Sequence, residues 1–162
     1  MRQPGRRSPF PETQRSASGL TQISADPADP SHGSAMTSRT PPPAKVFVVD
    51  DDEAVRDSIK VLLEVHGIEV EDYGSTGEFA SRYRKPQRGC LILDQHLPML
   101  TGIDFLNSPA GKGLDIPVIL ITGRSDPALE ERAREAGVAE YLQKPLGERV
   151  LLTTIARLTA EE

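Results

Sequence analysis

Four candidate strands in this chain end on a group that can do chemistry with a phosphate or a metal. "VFVV" (46–49) drives directly into Asp50, Asp51, Asp52 and Glu53. "CLIL" (90–93) is followed by Asp94, "IPVILI" (116–121) by Thr122, and "VAEYL" (138–142), one residue further on, by Lys144. Carboxylates crowded at the end of a buried strand repel one another. A hard divalent cation, which takes oxygen ligands and keeps some of its water, offsets that repulsion, and Mg²⁺ fits the description. The lysine neutralises further charge and the hydroxyl offers a hydrogen bond. Taken singly, each feature is ordinary. An acid run after a strand serves as a helix cap, a lone Asp as a turn residue, Thr122 as a strand-end hydroxyl and Lys144 as a solvated loop lysine. Their joint placement at four strand ends points to phosphoryl chemistry, in which a carboxylate can be the nucleophile and charge neutralisation does most of the catalysis.

Those groups converge only if the runs are strands of one sheet. The first three runs are short and apolar throughout, as a strand buried on both faces must be, and "VAEYL" reads as a fifth strand. Between them lie helical patterns. Val55, Ile59, Leu62 and Leu63 share a helix face that stops at Gly67. "IEVEDY" (68–73) begins as an apolar/acid alternation and predicts a strand nearer the sheet edge. "STGE" (75–78) is a capping box, Ser75 with Glu78, opening a helix through Phe79 and Tyr83. A short helix is expected near 102–110. "DPALEERAREAG" (126–137) carries Asp126 as N-cap, Pro127 at the first helical position, an apolar face of Leu129, Ala133 and Ala136, and Gly137 as stop. The last helix is expected to bury Val150, Leu151, Thr154, Ile155 and Leu158. Strand and helix alternate five times, which predicts an α/β fold with a parallel sheet covered on both faces. In that architecture ligands bind outside the carboxyl ends of the strands.

Residues 1–44 differ in kind. They hold eight of the fourteen prolines, five arginines against three acids, and few large apolar side chains, a composition that predicts disorder. Met36 is the expected true start, residues 1–35 then being a mis-assigned extension; a genuine flexible tail is the alternative. The pair Arg6-Arg7 lacks the apolar stretch of an export signal. The net charge of -5 leaves about -7 for residues 45–162 once the +2 of the first 44 is set aside, and argues against a nucleic-acid-binding surface. One cysteine, Cys90, excludes an internal disulfide framework and fits a reducing compartment; at the start of a buried strand it reads as core.

"VVDDDEAVR", "LILDQHLPMLTGIDFL", "PVILITG" and "AGVAEYLQKP" together resemble the receiver domain of two-component response regulators, in its FixJ-type form, over roughly residues 44–160. The resemblance implies a three-layer (βα)₅ flavodoxin-like, doubly wound sheet of strand order 2-1-3-4-5. It implies Mg²⁺ and a cytoplasmic signalling protein that accepts a phosphoryl group from a sensor histidine kinase or a histidine phosphotransfer protein. By the same resemblance Asp94 is the phosphoacceptor. The metal ligands are Asp50, Asp51, Asp94 and the backbone carbonyl of His96; Thr122 and Lys144 bind phosphoryl oxygens; and Thr122 and Tyr141 form the switch. The His96 side chain is expected at the site entrance, where it tunes hydrolysis, and Gly102 is expected to serve a backbone turn. Such a chain is no enzyme on other substrates: it catalyses only its own phosphorylation and reset. A partner or a second copy is expected to dock on the face formed by the helix over 126–137, the strand after it and the last helix, with no membrane or direct nucleic-acid contact.

Two other readings compete. A haloacid-dehalogenase-like phosphatase would use Asp50 as nucleophile in an Asp50-x-Asp52 motif, but its later acidic motif and cap insertion are missing. Only Glu161 and Glu162 follow the last helix, so the second is a single-domain regulator acting through protein contacts or as a phosphate sink; a piece cut from a longer protein is the alternative account of that ending. An EF-hand fails because Val55, not Gly, stands sixth from Asp50.

Overall fold

A computed structural model describes residues 44–160. The expectations for the first 43 residues, Met36 included, lie outside the described residues. Five strands form one parallel sheet in the order β2-β1-β3-β4-β5. They are β1 (Lys45–Val49), β2 (Glu69–Tyr73), β3 (Gly89–Asp94), β4 (Val118–Thr122) and β5 (Glu140–Gln143). The helices are α1 (Glu53–Val65), α2 (Thr76–Arg82), α3 (Gly102–Leu106), α4 (Pro109–Lys112), α5 (Pro127–Glu135) and α6 (Glu148–Thr159). This is the doubly wound order expected from the sequence. Among the described residues no helix is long and apolar enough to cross a membrane.

The continuous apolar runs split by parity into two cores, because successive strand side chains point to opposite faces. Phe47, Val49, Leu91, Leu93 and Leu120 pack on one side with Phe79 of α2, Ile103, Phe105 and Leu106 of α3, and Leu129 and Ala133 of α5. Val46, Val48, Ile92, Ile119 and Ile121 pack on the other with Ile59 and Leu63 of α1 and Leu151, Ile155 and Leu158 of α6. Burying each such side chain contributes about 1.5–3 kcal/mol, which is why the interiors of the three central strands are apolar. β2 is an edge strand and keeps only Val70 and Tyr73 buried.

The helix ends follow their local signals. Ile68 N–H donates to Leu63 C=O and Gly67 N–H to Glu64 C=O, a Schellman closure with Gly67 at φ +79°. Gly137 (φ +90°) closes α5 in the same way, Val138 N–H donating to Ala133 C=O. Val138 therefore belongs to the helix stop, and β5 starts later than the expected 138. Ser75 Oγ accepts from Glu78 N–H at 3.1 Å, but the Glu78 carboxylate reaches back to Gly74 N–H, one residue beyond the usual capping-box partner. The expected helix near 102–110 is two short ones, because Ser108 caps a new turn and Pro109 occupies its first position. Val150 is a correction: it is 52% exposed. Leu151, Thr154, Ile155 and Leu158 complete the i, i+3, i+4, i+7 stripe, and Val150 stands about 100° round the helix from Leu151.

Candidate functional site

β1 has β2 on one side and β3 on the other, so the strand order reverses between β1 and β3, and a crevice forms beyond their carboxyl ends. Asp50 stands at the end of β1, 0% exposed, and Asp94 ends β3, 3% exposed. One carboxylate oxygen from each of Asp50, Asp51 and Asp94 lies within 4.8 Å of the others. Asp51 is exposed on the open side. Asp52 has left the group: it caps α1, its carboxylate accepting from Ala54 N–H at 3.0 Å. That placement corrects the phosphatase-like reading, whose Asp50-x-Asp52 pair would have to face one substrate.

Lys144, just past β5, extends across the end of β4. Its Nζ lies 3.1 Å from Asp50 Oδ2 and 3.3 Å from Asp94 Oδ1, and its backbone N–H donates to Thr122 C=O at 2.8 Å. The Lys144–Pro145 peptide is cis. Burial works against the lysine's charge, yet its hydrogen bond to Asp50 and the charges of Asp94 and Asp50 outweigh that and hold its pKa above the ordinary value. Asp94 is raised as well: burial first, then the Asp50 charge, push it up against the opposing pull of Lys144 and the His96 backbone amide. A single ammonium shared between two buried carboxylates leaves each undercompensated.

The Thr122 hydroxyl is buried and turned into its own loop. It donates to Arg124 C=O at 2.8 Å and accepts from Arg124 N–H at 3.1 Å. The ring Nε2 of His96, which sits past β3, lies 3.0 Å from the same oxygen. Tyr141 lies away from the acids. It pairs with Leu120 in the ladder and packs against the core face that Leu120 shares, so it stands diagonal to Thr122 on one side of the sheet. Its hydroxyl is buried with no hydrogen-bond partner.

Three supporting residues carried no functional signal in the sequence. Arg56, in the first turn of α1, donates to the Asp50 carbonyl at 2.7 Å and to Asp72 at 2.9 Å, tying the acid loop to β2. Gln95 Oε1 accepts from Ile103 N–H at 3.0 Å and starts α3. Arg124 holds the Thr122 hydroxyl as described. Only α1 helical phase together with strand order brings Arg56 under Asp50. Gly102 was expected in a turn but opens α3, where the close approach of the backbone requires glycine: a Cβ would lie 2.7 Å from the Asp94 carbonyl and 2.8 Å from Leu120 Cδ1. Cys90 is core, and burial pushes its thiol up to about 12.

Three carboxylates against one ammonium leave the crevice net negative, and the donor set is all oxygen. Both features fit Mg²⁺. Beside Lys144 an apolar groove of about 520 Å³ opens between α1 and the start of α6, lined by Ala54, Ser58, Leu62, Pro145 and Leu146 among others.

Residues 46–156 match the family described as the response regulator receiver domain. Nodulation protein W of Bradyrhizobium diazoefficiens is 35% identical over 119 residues, covering 74% of this chain and 52% of that protein. The transcriptional regulatory protein FixJ of Azorhizobium caulinodans is 33% identical over 110 residues, covering 68% and 52%. The chain thus spans about half the length of the curated relatives it matches. Among solved structures, a CheY-like response regulator receiver domain protein from Methanospirillum hungatei is 30% identical with a TM-score of 0.66, covering 74% of this chain and 96% of that one. An acid crevice closed by one lysine, on a sheet of this order, has the same setting in sequence and in fold: the chain belongs to the response regulator receiver family, and its receiver is of the FixJ type.

Proposed function

We propose that Asp94 is the residue that accepts the phosphoryl group, from a phosphohistidine on a sensor kinase or a histidine phosphotransfer protein. The observation that carries this reading is the placement of Asp94: a buried carboxylate at the switch point, 3.3 Å from Lys144 and grouped with Asp50 and Asp51. An oxygen of Asp94 attacks phosphorus, an O–P bond forms, the N–P bond of the donor breaks, and the histidine keeps the electron pair and takes a proton. Water attacking the same phosphorus later returns the carboxylate and inorganic phosphate. The receiver thereby catalyses only its own loading and reset.

Asp50, Asp51, Asp94 and the His96 carbonyl would hold Mg²⁺, which when bound supplies charge neutralisation between carboxylate and phosphoryl oxygens. Lys144 already stands beside Asp94 and passes from carboxylate to phosphoryl oxygen with little movement. The Thr122 hydroxyl, once drawn to the phosphoryl group, gains a charge-assisted hydrogen bond in place of a neutral one. Its departure opens space for Tyr141, whose unpartnered hydroxyl costs little to move, and biases α5, β5 and α6 toward a second arrangement. That face is where a partner or a second copy would read the state. The groove beside Lys144 suits an amphipathic helix of the donor, since its floor is apolar and its rim carries the site. The cytoplasm is the setting in which such a donor works. Residues 45–160 would make up the receiver.

The test is incubation with Mg²⁺ and acetyl phosphate followed by intact mass and peptide mapping. One phosphoryl group on Asp94, lost in Asp94→Asn, is the expected result; a group on Asp50 overturns the assignment. Thr122→Ala should load more slowly and move α5 and β5 less. A receiver whose amide NMR signals over residues 127–158 ignore beryllofluoride would instead be a phosphate sink.

A further inference from the structure

The Thr122 hydroxyl has one proton and two lone pairs. Its proton goes to Arg124 C=O at 2.8 Å and one lone pair accepts from Arg124 N–H at 3.1 Å. The remaining lone pair faces His96 Nε2 at 3.0 Å. With the hydroxyl proton on Arg124 C=O, the ring completes this network as a donor, in its Nε2–H tautomer. The hydroxyl is then saturated. Its bonds to Arg124 are internal to its own loop, whereas the bond from His96 comes from the end of β3, 26 residues away in sequence. It is the one described contact that ties the hydroxyl to another strand end.

We propose that His96 is a positioning residue for the switch: its Nε2–H latches the Thr122 hydroxyl in the free receiver, and so sets how much of the free protein already occupies the phosphorylated arrangement. This rests on the Thr122 switch reading given above. The latch is releasable because the His96 ring is exposed. When the hydroxyl leaves, water replaces it on Nε2, and no buried donor is stranded. A buried donor at this place would lock the switch instead. One partly buried neutral hydrogen bond corresponds to about a two- to tenfold change in a two-state ratio, enough to tune a population and too little to freeze it.

The experiment compares amide shifts of residues 127–143 in wild type, His96→Ala, His96→Gln and the pair Thr122→Ala with and without His96→Ala, all free of metal. Wild type with beryllofluoride and Mg²⁺ supplies the other end of the scale. In His96→Ala the free signals should move along the line toward the beryllofluoride positions, by about a two- to tenfold rise in the population ratio. His96→Gln, which keeps an N–H at similar reach, should stay near wild type. On the Thr122→Ala background, adding His96→Ala should change nothing over 127–143. Free His96→Ala signals that coincide with wild type refute the latch. An equal shift on the Thr122→Ala background refutes it too, since His96 would then act by another route. If beryllofluoride leaves wild type itself unmoved, the switch reading fails and the latch falls with it.

Discussion

Neutralising the proposed acceptor should make the metal-free protein more stable. In Asp94→Asn the shape of the buried group is kept and its charge removed. The carboxylates of Asp50 and Asp94 approach within 4.8 Å, a repulsion of about 3.5 kcal/mol at an effective dielectric of 20. Asp51 adds a smaller share, because it is exposed and water screens it. Lys144, 3.3 Å from Asp94, offsets about 5 kcal/mol on the same scale. Those Coulomb terms nearly cancel, and the cost of holding an ionised carboxylate at 3% exposure remains, several kcal/mol before relaxation. The balance is unfavourable to the charge, in agreement with the raised pKa of Asp94. A gain of about 1–3 kcal/mol near neutral pH is expected, or several degrees in Tm. A group whose pKa is raised by folding contributes most below its unfolded value, 3.8, and loses that contribution as pH rises through the folded value. The advantage of Asp94→Asn should therefore be near zero in acid, where wild-type Asp94 is protonated, and should grow toward neutrality. Millimolar Mg²⁺ should shrink or reverse it, because wild type binds the ion with a ligand the variant lacks. Urea unfolding in a chelator, across pH and then with Mg²⁺, reads all three. A variant less stable than wild type at neutral pH without metal, or a gap that does not change with pH, would refute this charge balance.

Two further substitutions test the surroundings. Gly102→Ala places a methyl group 2.7 Å from the Asp94 carbonyl; it should cost about 1–3 kcal/mol in urea unfolding and slow acetyl phosphate labelling, because the shift falls on the acceptor's own backbone. Ser58→Arg fills the groove rim from an exposed position, so it should leave Tm and acetyl phosphate labelling unchanged while slowing transfer from a histidine donor roughly tenfold; equal slowing with both donors would place the donor elsewhere.

Most elements, and the carboxyl ends of the strands, were legible in the local pattern of residues. Apolar runs of four or five residues, capping residues such as Ser75 and Asp126, and stops at Gly67 and Gly137 act within one turn of the chain, so their signals are local and readable. They also brought Asp50, Asp94, Thr122 and Lys144 to one edge, because a parallel sheet puts every strand's carboxyl end on the same side. Which of those groups touch depends on the packed sheet. Lys144 meets Asp50 and Asp94 because the order β2-β1-β3-β4-β5 leaves a long side chain only the end of β4 to cross. Thr122 faces Arg124 and His96, and not the acids, because a hydroxyl follows the donors and acceptors its rotamer can reach, and periodicity carries no rotamer. Val150 turned outward because helical phase is set by the whole stripe packed on the sheet, and a single residue at its margin falls either side of it. Arg56 found Asp50 and Asp72 for the same reason: pairing across strands depends on order and register, which are properties of the sheet and not of any one segment.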